Sequence, residues 1–241
     1  MGNLKRDAGV RRGPVVAIAI AVCALAAGCG QGAKESGPAG GVTRKQLSQA
    51  ELEKVALGDG DSKRFNVTGP RELPEGAMAV GKEACGSVGG VLAGRTEPRA
   101  ASQLTSAGVD LRMPATSRIG LLRLLVQAHT YTDARATLSK FRSDVAECSG
   151  YKDMAGRSKK VSLDAAPKGL GEEAVAYRIR SAADEVHRRA QDVVVGVVRS
   201  GSVVVIAYGE SVDDQAKSVR DVRNSLNSLL RAQVDRLPHA P

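Results

Sequence analysis

The 241-residue sequence predicts an α+β fold, a mainly antiparallel sheet in a single domain with helices packed largely on one face. Three observations carry this. The run DVVVGVVRSGSVVVIAYG, residues 192–209, reads as two apolar strands of a hairpin with Ser200 and Gly201 at its tip. The stretches 132–150 and 213–237 carry apolar residues at helical spacing, each needing a sheet face to bury them. The strand-like run SRIGLLRLLVQAHTY precedes the first of these stretches and EEAVAYRIRS lies between them, and no internal repeat is visible.

In chain order, residues 1–28 form a leader. MGNLKRDAGVRRGP carries Lys5, Arg6, Arg11 and Arg12, and VVAIAIAVCALAA follows it. That apolar stretch has the length of a secretory signal and is too short and too early for a spanning helix. Ala26, Ala27 and Gly28 then precede Cys29, small residues that suit a signal peptidase. The stretch resembles the lipobox of bacterial lipoproteins, with Ala26 where leucine is usual and Leu25 one position upstream. The resemblance implies a diacylglycerol on the Cys29 thiol, cleavage just before it, and further acylation of palmitate type. It places the protein on the extracytoplasmic face of the cell membrane, with the bilayer as its first partner. An ordinary secretory cleavage nearby is the plainer alternative. Two or three acyl chains, at about 0.8 kcal/mol per buried methylene, hold a protein firmly on a bilayer.

Residues 29–42, with GQGAKESGPAGG at their heart, read as a lipidated flexible tether with an r.m.s. reach of roughly 20 Å. Cys23 leaves with the leader and Cys29 takes lipid, so Cys85 and Cys148 remain as an even pair in an exported chain. A disulfide between them closes a loop that the chain-entropy model values at roughly 4 kcal/mol. Neither lies in a CxxC or a cysteine–histidine cluster, so the sequence offers no metal site and no redox motif. The net charge of +9 falls to +6 once the leader's four basic residues and Asp7 are gone. Such a balance suits anionic lipid or cell-wall polymer. Nucleic acid is not expected as a partner, because there is no Trp and there are only two Phe to stack on bases.

The ordered domain is expected over 43–237, with 238–241 as a tail. Thr43 and Gln46 have capping-box spacing, opening a helix through RKQLSQAELEKVAL. GDGDS stops it, and its Asp59-x-Asp61 pair reads as a turn, since the rest of a calcium loop is missing. RFNVT reads as a short strand. GAMAVGKE, 76–83, nearly fits a phosphate-binding loop, but Glu83 stands where the magnesium-binding hydroxyl belongs. After the strand 117–131, Thr132 or Asp133 caps a helix with the stripe Ala134, Leu138, Phe141, Val145 and Cys148, and Gly150 is available to end it. Val175, Tyr177 and Ile179 share one face of the strand 172–181. Ser211 and Asp214 cap the final helix, whose stripe is Ala216, Val219, Val222, Leu226, Leu229, Leu230 and Leu237.

Catalysis finds little support. His239 lies in the polar tail, His187 stands in no motif, and His129 reads as an ordinary strand-end histidine near Asp133. No G-x-S-x-G marks a nucleophile, and Glu172 with Glu173 reads as a solvated strand start rather than a glycosidase pair. No cofactor is implied. With the hairpin strands apolar on both faces, a concave, partly apolar site is expected between the sheet and KEACGSVGGVLAG or DMAGRSKKVSLDAAPKGLG. Tyr177 or Tyr208 is expected at its edge as a ligand contact, and an apolar envelope molecule with an anionic head as its occupant.

The order of these features resembles the PknH-like extracellular sensor domain of a mycobacterial receptor kinase and of many actinobacterial lipoproteins. The residues that carry it are the lipobox and tether, RFNV, Cys85, the strand–helix unit ending in DVAECSG, GLGEEAVAYR, the valine hairpin and the terminal helix. The resemblance spans roughly 43–237 and implies an α+β fold with a cleft for an unidentified ligand. The kinase representative has two disulfides, whereas this chain has cysteines for one. The expectation is a membrane-anchored, non-catalytic ligand-binding or sensor lipoprotein, relaying through a membrane protein partner. The alternative is an envelope protein that binds another protein or a wall polymer through a basic surface.

Overall fold

The computed structural model describes residues 45–61, 64–68, 83–105, 108–111, 119–183, 190–211, 213 and 215–237. The leader, Cys29, the tether, Thr43, residues 76–82, His187, Asp214 and the tail lie outside them. The expected α+β class holds: nine strands and four helices run through the described residues.

Ser48 opens α1 (Gln49–Val55) with a reciprocal cap, its hydroxyl accepting from the Glu51 N–H while the Glu51 carboxylate accepts from the Ser48 N–H. The helix therefore begins later than the Thr43–Gln46 spacing predicts. Ser48 and Glu51 repeat that spacing, with buried Leu47 and Leu52 at the positions of a hydrophobic staple. Beyond it, the Gly58 N–H donates to Asp61 Oδ2 at 2.6 Å, and Asp61 pairs with Arg236 at 3.0 Å. That segment is the expected turn.

Strand β1 (Phe65–Thr68) pairs with β3 (Gly108–Leu111) in a small two-stranded sheet. Between them lie α2 (Glu83–Gly90), a 3-10 turn over Val91–Ala93, and β2 (Ser102–Thr105). Then come β4 (Ile119–Ala128), α3 (Tyr131–Glu147), β5 (Gly150–Lys152), β6 (Ser158–Asp164) and β7 (Glu173–Ser181). Strands β8 (Gln191–Ser200) and β9 (Val203–Ser211) and helix α4 (Ala216–Val234) end the fold. The main sheet has seven antiparallel strands in the order β2-β4-β9-β8-β7-β6-β5. Ser200 pairs with Val203, so Gly201 and Ser202 form the hairpin tip, one residue on from the expected pair. Gly201 takes φ +62° there.

The helices cover both faces of this sheet, not largely one. Val219, Val222, Leu226, Leu229 and Leu230 of α4 pack with α1 and β1 on Leu122, Leu124, Val126, Val203, Val205 and Ala207. Ala134, Leu138, Phe141 and Val145 of α3 pack with α2 on Leu125, Tyr177, Val195, Val197, Val204 and Ile206. The reason lies in β8 and β9, whose side chains are buried on alternate faces along nearly their whole length. Two apolar faces require two covers.

Caps also differ locally. Thr130, not Thr132 or Asp133, caps α3, accepting from the Asp133 N–H at 3.1 Å. Gly150 does not end that helix but starts β5, where a Cβ would stand 2.6 Å from the Lys159 carbonyl oxygen. Gln215 occupies the α4 N-cap position, and its side chain does not cap the helix. The Ser211 hydroxyl bridges instead to the Asp192 backbone, accepting from its N–H and donating to its carbonyl.

Candidate functional site

Helix α2 is a weak helix by composition, with Gly86, Gly89 and Gly90 among its eight residues. Long-range anchors hold it. The Cys85–Cys148 disulfide, with Cα atoms 5.1 Å apart, ties its first turn to the end of α3. Tyr177 donates its hydroxyl to the Val88 carbonyl at 3.0 Å, and Tyr208 donates to the Leu92 carbonyl at 3.1 Å. Val88 and Val91 fill the space beneath. Past the turn, Gln127 donates to the Gly94 carbonyl at 3.1 Å and so fixes where the chain leaves for Arg95 and Thr96.

The two tyrosines are therefore placed differently from the ligand-edge expectation. Tyr177 is fully buried and Tyr208 nearly so, and their rings belong to the core under α2 and α3. Burial pushes the Tyr208 hydroxyl up to about 12 and that of Tyr177 well above its usual value, so both stay protonated donors.

What α2 and α3 enclose is a cleft of about 220 Å³ between the two helices and the 95–97 segment, rather than one between the sheet and a cover segment. Gly86, Ser87 and Gly90 form one wall, with Thr137, Lys140, Phe141 and Asp144 of α3 opposite. Arg95, Thr96 and Glu97 close an end. Lys140 Nζ lies 3.0 Å from Asp144 Oδ2 and 3.9 Å from Glu97 Oε2. The hydrogen bond to Asp144 holds the Lys140 ammonium above its usual range. The hydroxyls of Thr96 and Thr137 are buried and make no hydrogen bond. Thr137 thus forgoes the bond that a helical threonine commonly makes to the carbonyl one turn back. Lys140 is already held by Asp144 and Glu97, and the two basic and two acidic residues of the lining sum to no net charge, which gives an anionic head no preference here.

These cleft residues carried only a faint mark in the sequence. Thr137 and Asp144 fall inside the arc of the Ala134–Leu138–Phe141–Val145 stripe, and a polar residue on an apolar arc was the one available sign. Thr96 and Gly86 carried none.

The other sequence candidates fall elsewhere. Glu173 does start β7 and Glu172 beside it is exposed, but the pair also has a structural task. Both hold the buried Arg199, at 2.5 and 2.8 Å, while its guanidinium stacks 5.3 Å from the Tyr131 ring centroid. His129 is 1 % exposed, just past β4, with neither ring nitrogen hydrogen-bonded. Burial lowers its pKa against the opposing pull of Asp133. Among the described residues no group of His, Cys, Asp and Glu stands close enough to hold a metal ion. Nor is any described helix long and apolar enough to cross a membrane.

No family model matches the chain, and no curated protein matches it. Among solved structures it is similar to the extracellular domain of PknH from Mycobacterium tuberculosis, at 11 % identity with a TM-score of 0.47. That alignment covers 81 % of this chain and 100 % of the other.

Proposed function

We propose that the protein is a lipid-anchored, extracytoplasmic binding domain that senses a small polar molecule without transforming it. The observation that carries this is the α2–α3 cleft, whose walls are cross-linked by a disulfide beside it and whose buried hydroxyls lack partners. A fold bears unpaired buried hydroxyls at a cost of about 1–3 kcal/mol each. A ligand that satisfies them recovers that cost, and cross-linked walls lose little freedom when it binds. The cleft's lysine is engaged by its own carboxylates, and no histidine lines it, which favours binding over acid–base chemistry. The disulfide and the Cys29 leader fit an oxidising compartment outside the cytoplasm. The test is native mass spectrometry of the full chain, released from its membrane in detergent. A retained small molecule is expected in wild type and absent from Gly86→Leu, which fills the cleft from a position where an added Cβ meets no atom within 4 Å. No retained or added small molecule distinguishing the two would end this reading.

A second reading rests on the half of the α4 face that α4 leaves bare. There Lys160 pairs across from Arg180 and Ser162 from Arg178, with Lys152 one strand further out. Lys152, Lys160 and Arg180 are exposed, while Asp164 is occupied by Arg223 of α4. This basic strip fits an anionic wall polymer or an acidic protein. Lys152→Glu with Lys160→Glu is expected to weaken salt-sensitive cosedimentation with such a polymer, and unchanged cosedimentation would dismiss the reading.

A further inference from the structure

We infer that the cleft's ligand is a neutral, polyhydroxylated molecule the size of a monosaccharide or cyclitol; this deepens the binding reading above and rests on it. Size comes first. The cavity of about 220 Å³ holds the volume of about seven waters, room for one small ring and not for a chain of them.

Charge comes second. Arg95 and Lys140 are balanced by Glu97 and Asp144, and Lys140 is already committed to Asp144 at 3.0 Å. An anion entering here meets two carboxylates, and a cation meets two basic groups. A zwitterion has to separate the Lys140–Asp144 pair in a place where Asp144 is 7 % exposed.

Polarity comes third. Thr96 and Thr137 offer hydroxyls that donate and accept, and both are unpaired. Ser87 adds a third hydroxyl across the cleft. An apolar ligand leaves the two buried threonine hydroxyls unsatisfied, whereas a polyol supplies partners of either sense. The carboxylate of Asp144 and the ammonium of Lys140 keep free acceptor and donor capacity beyond their mutual bond, which adjacent hydroxyls of a ring can use. Phe141 gives an apolar ring surface, suited to the C–H face of such a ring. Of the three residues that form the opposite wall only Ser87 carries a side chain, which leaves room beside Gly86.

Calorimetric titration of the full chain in detergent tests this, with glucose, N-acetylglucosamine and myo-inositol in one arm and inorganic phosphate, glycine and hexanol in the other. Saturable binding of at least one polyol is expected, weakened about tenfold by Thr137→Val and abolished by Gly86→Leu. Thr137→Val should raise the unliganded melting temperature, so that a folding defect does not imitate lost binding. Phosphate, glycine or hexanol binding that Gly86→Leu removes, with no polyol bound, overturns the ligand class and leaves the binding site standing. Polyol binding that survives Gly86→Leu overturns the inference by placing the ligand elsewhere. Silence in both arms, with native spectra alike for wild type and Gly86→Leu, overturns inference and site together.

Discussion

Thr137 sits at 0 % exposure with an unpaired hydroxyl, so its replacement by the near-isosteric valine removes a liability from the empty protein. The expected outcome is a gain of about 1 kcal/mol, read as a melting temperature about 2–4 °C higher. An unchanged or lower value would mean that the hydroxyl is satisfied in solution. His129 makes the opposite case, a base held neutral by burial. Its folded pKa lies below the unfolded value of about 6.5, so under that pH the unfolded chain binds more protons here than the native one. Stability is therefore full at neutral pH and falls as pH drops from about 6.5, by at most about 1.4 kcal/mol per unit. Urea denaturation at pH 7.5 and pH 5 should show a smaller acid loss for His129→Leu than for wild type; equal losses would refute the assignment. Single residues were legible in unequal degree. The Cys85–Cys148 pair follows from counting, because the proposed leader and lipidation site account for Cys23 and Cys29. The role of Tyr177 and Tyr208 does not, because a tyrosine on an apolar strand looks the same whether its hydroxyl meets a ligand or a glycine-rich helix. Arg199 hid the purpose of Glu172 and Glu173 in the same way, since its burial depends on a turn of α3 that is remote in sequence.

At the scale of elements, α2 shows what tertiary anchors do for a segment of poor helix propensity. Three glycines cost it roughly 1 kcal/mol each against alanine, yet it is helical and buries Val88. Two tyrosine hydroxyls and one disulfide oppose that cost. Replacing Cys85 and Cys148 by serine is expected to lower unfolding stability by about 4 kcal/mol. Native-state hydrogen exchange should rise most over residues 83–93, ahead of the β8–β9 hairpin, because the hairpin keeps its two apolar layers. Exchange that rises equally everywhere would show that the bond merely closes a loop in the unfolded chain. The same element marks a limit of sequence reading. KEACGSVGGVLAG has no amphipathic period strong enough to announce a helix, and its structure is imposed by what it touches. Helix starts slipped for a related reason: Thr43, Thr132 and Asp133 all have capping chemistry, but Ser48 and Thr130 sit where the chain turns into buried Leu52 and Ala134. Strands β1, β4, β7, β8 and β9 were readable from alternation and apolar runs, whereas β2, β3, β5 and β6 were not: β6 buries only Val161 and lies within DMAGRSKKVSLDAAPKGLG, which reads as a loop.

For the whole molecule, the sheet divides the labour between its faces. One carries α4, α1 and β1 on Leu, Val and Ala side chains. The other carries α2 and α3 and encloses the cleft beside their cross-link. Lys45 is the first of the described residues, and its carbonyl accepts from the Ser202 hydroxyl at the hairpin tip. On our reading the anchor is Cys29, which precedes the described residues in sequence. The anchor rests on a basic segment, an apolar run and three small residues ahead of a cysteine, a pattern whose energetic consequence is large: each acyl methylene buried adds about 0.8 kcal/mol. Cys29→Ala removes the proposed acceptor thiol. The expected result is a chain that no longer incorporates labelled fatty acid and leaves the detergent phase, while its thermal unfolding midpoint and its cleft titrations match those of wild type. Fatty-acid labelling that persists in Cys29→Ala, or its absence from wild type, would remove the lipid anchor and leave an exported binding domain in its place.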